Sequence, residues 1–338
     1  MGYRNGQTLF MEKYVAPIAA SSIAGPTEAR GALRGLFDVT IDDDLWDQNT
    51  WEQAESKLFY EAVRKAVEKC GKTIEEMGFL LGGDLLNQLT AATFAAREIN
   101  TPFLGLYGAC STMAESLVVG SMILEAGFSD QLVCCASSHF STAERQFRFP
   151  LEMGAQKTPS QQRTATGAGA TILSTKEQKG VCISHVTPGK VVDFGIADVN
   201  NMGAAMAPAA FDTIAAHFRD TQTTEADFDA IYTGDLGKLG LSMLCDMLAD
   251  EGAEDMTKFH DCGAELYMPH QDTHMGASGC GCSAITLSAK LLPKLWGGDW
   301  QRILFIPTGA LLSTTSSMQG NTIPGIAHAV RFERRSPQ

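Results

Sequence analysis

The chain has 338 residues, 44% hydrophobic and 19% charged, which suits one large or two medium globular domains and excludes a disordered chain. Its net charge of −13 repels phosphate backbones, so nucleic acid is excluded as a partner. Nine cysteines, an odd number without disulfide-like spacing, point to a reducing compartment. The opening MGYRNGQTLF lacks the apolar core of a signal peptide. No window approaches the roughly 18 to 20 apolar residues of a bilayer span. A soluble cytoplasmic protein is expected, and peripheral attachment to a membrane complex is compatible with these features.

The first 44 residues are mixed, with one short apolar segment near Val15–Ala20. Ala54, Leu58, Ala62, Val63, Ala66 and Val67 have helical spacing and predict a helix over Trp51–Cys70, with Gly71 as its C-cap. Phe79–Leu81 reads as a buried strand ending in Gly82–Gly83. Leu89–Ile99 reads as a helix stopped before Thr101–Pro102. A strand over Phe103–Tyr107 runs into Gly108-Ala109-Cys110-Ser111, and Thr112–Ala126 is a helix ending at Gly127. Strands follow at Leu132–Ala136 and Ala170–Leu173.

After Gly180 the order recurs. Val181–Val186 is a strand, Phe211–Phe218 a helix, Ala230–Tyr232 a strand and Leu241–Leu248 a helix. The small-residue turn Gly276-Ala277-Ser278-Gly279-Cys280 opens a helix at Ala284–Leu295, and Arg302–Ile306 is a strand. In each half a Cys-containing turn opens a helix that leads to a short central strand. This predicts an α/β fold of two pseudo-symmetric halves, residues 1–178 and 179–338, with the boundary near Lys176–Gly180. Chance recurrence of βα units is the alternative.

The stretch LGLYGACSTMAESLVVGSMILEAG is the most informative. Gly108 and Ala109 permit a sharp reversal that lifts Cys110 to a helix N-terminus. Free backbone N–H groups and the helix dipole there favour a thiolate or a bound anion. A small core cysteine is the alternative reading.

Three motifs carry a family resemblance. G-A-C-S-T resembles the nucleophile elbow of the thiolase and ketoacyl synthase superfamily. TATGAGATILS (Thr164–Ser174) is similar to its Gly-Ala-Gly segment, and THMGASGCG (Thr273–Gly281) to its G-H-x-x-G-A-S-G turn. Ser137–Lys157 and Thr308–Val330 look like distinctive stretches of the stage V sporulation protein AD family within that superfamily. The resemblance runs over nearly the whole chain. It implies a thiolase-like αβαβα layering and a homodimer paired through a strand edge. It also implies binding of dipicolinic acid (pyridine-2,6-dicarboxylate) or its calcium chelate. The family's role implies partners in the membrane complex of the spore, association with the forespore or spore inner membrane, uptake of the ligand into the developing spore, and release in germination. No cofactor and no metal are implied.

Set against the superfamily's catalytic pattern, the apparatus is incomplete. His274 stands in Thr273-His274-Met275-Gly276, one residue short of the usual spacing. The late loop Pro307-Thr308-Gly309-Ala310-Leu311 has no cysteine, and His270 lies only four residues before His274. A binding protein built on an enzyme's pocket is therefore expected. A Cys-dependent acyltransferase or condensing enzyme using Cys110 and His274 is the alternative. For a flat dianion, Cys110 offers backbone donors, and His139 lies just past a central strand. Arg145 and Arg148 are candidate counter-charges. Phe140, His274, Met275 and Leu311 are further candidate pocket residues.

His260, Cys262, His270, His274, Cys280 and Cys282 are dense, but their spacing lacks C-x-x-C, so zinc is not expected. The 276–281 glycines lack the G-x-G-x-x-G pattern and the P-loop lysine of a nucleotide site. Asp42, Asp43 and Asp44 read as a solvated loop.

Overall fold

The computed structural model describes residues 2–147 and 158–335. Among the described residues, five main strands build the sheet of the first half: β1 (Thr8–Ala24), β2 (Leu80–Gly83), β3 (Phe103–Gly105), β4 (Gln131–Ser138) and β5 (Gly167–Ser174). Five more form the second: β6 (Gly180–Thr187), β7 (Ala230–Thr233), β8 (Phe259–Asp261), β9 (Arg302–Ile306) and β10 (Ala329–Arg335). Their order is β3-β2-β4-β5-β1 in one half and β8-β7-β9-β10-β6 in the other. The pairing repeats as well. The second strand of each half is parallel to the third and fourth, and the fifth is antiparallel to the fourth and first. The two halves are thus copies of one topology.

β1 joins them. Its first part pairs with β6 (Leu9 opposite Val186) and its second with β5 (Ile23 opposite Ala168). Almost every residue from Val15 to Ala24 is buried, because both faces of this part are covered. The sequence showed only the apolar middle of a strand 17 residues long.

Helices complete five layers. α1 (Trp51–Lys69) and α2 (Thr90–Ile99) cover the outer face of the first half's sheet through Leu58, Phe59, Val63 and Ala95. α3 (Thr112–Ala126) lies in the central layer, and α4 (Phe140–Phe147) follows β4. α5 (Met202–Thr221) and α6 (Gly237–Asp250) cover the outer face of the second sheet. α7 (Cys280–Thr286) joins α3 in the centre and continues through a π turn, Leu287–Leu291, to Gly297.

Two expectations are corrected. The 18 residues Ala109–Ala126 are long and apolar enough to cross a bilayer, but most of the segment is buried between the sheets. A helix that is apolar all round is what a central layer requires. The helix expected at Phe211–Phe218 starts nine residues earlier, at Met202, and contains Pro208. Asn201 caps its first turn by accepting from the Ala204 N–H.

Candidate functional site

Cys110 sits where β3 hands over to α3, in a single 3-10 turn, Ala109–Ser111. Ala109 has a left-handed φ of 50°, rare for a residue with a side chain. The turn is held from within: Ser111 Oγ donates to the Gly108 carbonyl at 2.7 Å, and Thr112 Oγ1 to the Ala109 carbonyl at 2.7 Å. It is held from without by the late strand Thr308–Ala310. A Cβ on Gly309 would lie 2.1 Å from the Gly108 carbonyl oxygen, so only glycine allows this approach.

Cys110 is 8% exposed and opens onto a narrow cavity of about 50 Å³. Leu85, Tyr107, Phe147, Met202, Ala310 and Leu312 supply most of its apolar wall; Thr164, Ser278 and Glu144 add polar atoms. Thr164 and Ser278 come together because Arg163–Thr164 pairs as a parallel ribbon with Ala277–Ser278. The cavity draws on both halves of the chain.

Behind the thiol lies a residue that the motifs did not mark. Asp235 is fully buried at the end of β7, and its Oδ1 accepts from Thr308 Oγ1 at 2.7 Å. Its other oxygen is buried without a hydrogen-bond partner among the described residues, and the carboxyl acts on the nearby Cys110 thiol. Burial pushes the Asp235 carboxyl up to about 7; the Asp261 charge adds to the rise, and contacts from Cys110, Thr308 and the Gly279 N–H oppose it. Asp261 fixes the loop, accepting from the Leu236, Gly237 and Ala264 N–H groups and from Thr233 Oγ1.

Burial, then the Asp235 carboxyl, push the Cys110 thiol well above its ordinary value. Both effects work against the expected helix-tip thiolate.

The pseudo-symmetry repeats this placement. Gly83-Asp84-Leu85 closes β2, whose last residue is Gly83, as Gly234-Asp235-Leu236 follows β7. Asp84 accepts from the Leu86 and Ala92 N–H groups, both at 2.7 Å, and burial pushes it up to about 6. Burial chiefly, with the Asp84 and Glu55 charges, raises the Cys280 thiol. Each half thus carries a cysteine at a helix start whose thiol feels the charge of an aspartate of the other half, though among the described residues Cys280 and Asp84 are not hydrogen-bonded. Cys280 is sealed: it is fully buried, and its thiol donates to the Ser137 carbonyl at 2.9 Å.

The other candidate residues are distributed as follows. His139 is fully buried, with Nε2 donating to the Asp44 carbonyl at 2.7 Å and Nδ1 accepting from the Ser141 N–H at 3.1 Å. Burial lowers its pKa, and it does not line the Cys110 cavity. Arg145 is half exposed, paired with Glu52 and set over the Trp51 ring, away from Cys110. Arg148 lies outside the described residues. Phe140 and His274 line a second small cavity, with Arg163; His139 is absent from its wall too. The Met275 and Leu311 N–H groups bond to the Gln161 and Pro324 carbonyls; Leu311's neighbours Ala310 and Leu312, not Leu311, reach the Cys110 cavity. The structure therefore does not bring His274 to Cys110. Asp235 was legible only as a repeated Gly-Asp-Leu triplet.

This layering, with a cysteine turn at the junction of two like halves, defines a protein of the thiolase-like fold. OleA of Xanthomonas campestris has the same fold. One crystal structure of an OleA variant covers 96% of this chain and 99% of its own, with a TM-score of 0.62 at 16% identity. A cerulenin-bound OleA structure also gives 0.62 at 16% identity, covering 97% of this chain and 99% of that one. AbyA1, a tetronic acid condensing enzyme, gives 0.58 at 17% identity, covering 95% of this chain and 99% of that one. The family is more specific. The model of stage V sporulation protein AD matches residues 5–333. The Bacillus subtilis (strain 168) protein of that name is 43% identical over 328 residues, 97% of each chain. The chain belongs to the stage V sporulation protein AD family and so is a sporulation protein.

Proposed function

We propose that this chain is a non-catalytic binding protein for dipicolinic acid, alone or as its calcium chelate, serving ligand uptake into the developing spore and its release in germination. One observation supports binding over catalysis: the group behind the Cys110 thiol is the buried acid Asp235. Condensing chemistry needs a thiolate and a base positioned to make it. Here the acid opposes ionisation, and no histidine among the described residues lines the cavity. The apolar wall suits a flat ring, and the polar atoms of Thr164 and Ser278 suit its substituents.

The same reading places the chain at the spore inner membrane through partner proteins. It also makes the chain a homodimer, supported by the edge of β3, which among the described residues pairs on one side only and leaves Leu104 43% exposed. The second reading, a Cys-dependent acyltransferase, draws support from the condensing-enzyme neighbour. Calorimetric titration with dipicolinate, beside mass spectrometry after acyl-CoA is added, separates them. Saturable binding, weakened in Cys110→Trp, is expected. An acyl group trapped on Cys110, with no heat of dipicolinate binding, would establish the enzyme instead.

A further inference from the structure

Two nitrogen donors are left over where α4 meets the turn at 272–274. Arg163 Nε and His274 Nε2 are buried, and neither has a hydrogen-bond partner among the described residues. Both residues line the second cavity, with Phe140, Glu144 and Thr273. The Arg163 guanidinium carbon lies 3.7 Å from the centroid of the Phe140 ring, which seats the cation on an aromatic face. Its hydrogen bond within the protein, Nη2 to Thr27 Oγ1, is long at 3.5 Å. A guanidinium carries five N–H donors, and the Nε donor of this one is unspent among the described residues.

Among the described residues, no acid forms an ion pair with it. Glu28 is fully buried, accepts from the Tyr267 hydroxyl, and acts on Arg163 only at longer range. Burial raises the Glu28 pKa. Glu144 already has a partner, and Asp272, on the rim, is exposed. His274 is held in a left-handed conformation, φ 49°, which fixes where its ring stands. The cavity adjoins the Cys110 pocket. Glu144 lines both, and Thr164, next in the chain to Arg163, lines the Cys110 side.

We infer that this cavity is a carboxylate subsite of the Cys110 pocket, in which Arg163, seated on Phe140, and His274 together bind a carboxylate of a small organic acid. A planar fork of donors matches two carboxylate oxygens, which the ion-paired Arg145 is not free to do. The inference rests on the ligand-binding reading above and supplies the cation which that reading lacks.

Two measurements test it. The first is titration of dipicolinate and of the monoacid picolinate into wild type, Arg163→Gln and Arg163→Lys, each variant first shown to melt cooperatively. Arg163→Gln is expected to weaken dipicolinate binding about 10- to 100-fold. Arg163→Lys should recover only part, and the preference for the diacid should shrink. Unchanged affinity in Arg163→Gln, with wild type binding dipicolinate, overturns the subsite and leaves the ligand reading standing. The second follows the Arg163 Nε–H resonance, identified by its loss in Arg163→Gln, while benzoate, picolinate or inorganic phosphate is added. A shift with the carboxylates upholds the subsite even if dipicolinate fails to bind. No shift with any carboxylate overturns it.

Discussion

Replacing Asp235 by Asn should make the protein more stable at neutral and alkaline pH, and the size of the effect follows from the site. The carboxyl is fully buried and titrates near 7 in the folded chain, against 3.8 for a free aspartate. A shift of about three units corresponds to roughly 4 kcal/mol of differential proton affinity, as an order of magnitude. The folded pKa lies above the unfolded one, so the folded state holds the extra proton. The contribution is whole below about pH 4 and is lost as pH rises through 7. Asparagine keeps an oxygen for the Thr308 hydroxyl and cannot ionise. Urea unfolding of both proteins between pH 5 and 8.5 measures the difference. The other buried acids, Glu28, Glu55, Asp84 and Asp261, are common to both proteins and cancel. The Asn variant should gain with each pH step up to about 7.5 and then hold a constant lead. Parallel pH profiles, with no gain, would refute a buried, proton-holding Asp235.

Three further outcomes are expected. Gly309→Ala drives a methyl into the Gly108 carbonyl, so it should cost at least about 2 kcal/mol by thermal melting and make the elbow more susceptible to proteolysis. Cys110 should react with iodoacetamide at pH 7.5 at least about tenfold more slowly than free cysteine, by peptide mass mapping. Leu104→Arg, on the open edge of β3, should shift the sedimentation of the proposed dimer to that of a monomer without lowering the melting temperature.

Much of the fold was legible because its signals are local. Apolar runs next to glycines mark β2 and β5, an apolar run alone marks β4, and helical spacing marks α1. What escaped depends on partners far along the chain. β1 is a single strand only because β6 covers one part and β5 the other. The start of α5 was hidden by Pro208, a breaker by composition that the packed helix tolerates.

At the site, the elbow at Cys110 was readable, but its chemistry was not. A thiol at a helix tip gains or loses its proton according to what stands behind it, and that is Asp235, 125 residues away, aligned by the crossing of two halves. Likewise Arg145 and Arg163 are equally basic in the sequence. Only the structure gives one a Glu52 partner and seats the other on Phe140.

A crystal structure of the protein grown with saturating dipicolinate tests the central claim most directly. Ring density is expected against Leu85, Tyr107 and Ala310, beside an unmodified Cys110 sulfur, with one carboxylate reaching Arg163. An empty pocket, or ligand bound away from Cys110, would contradict it.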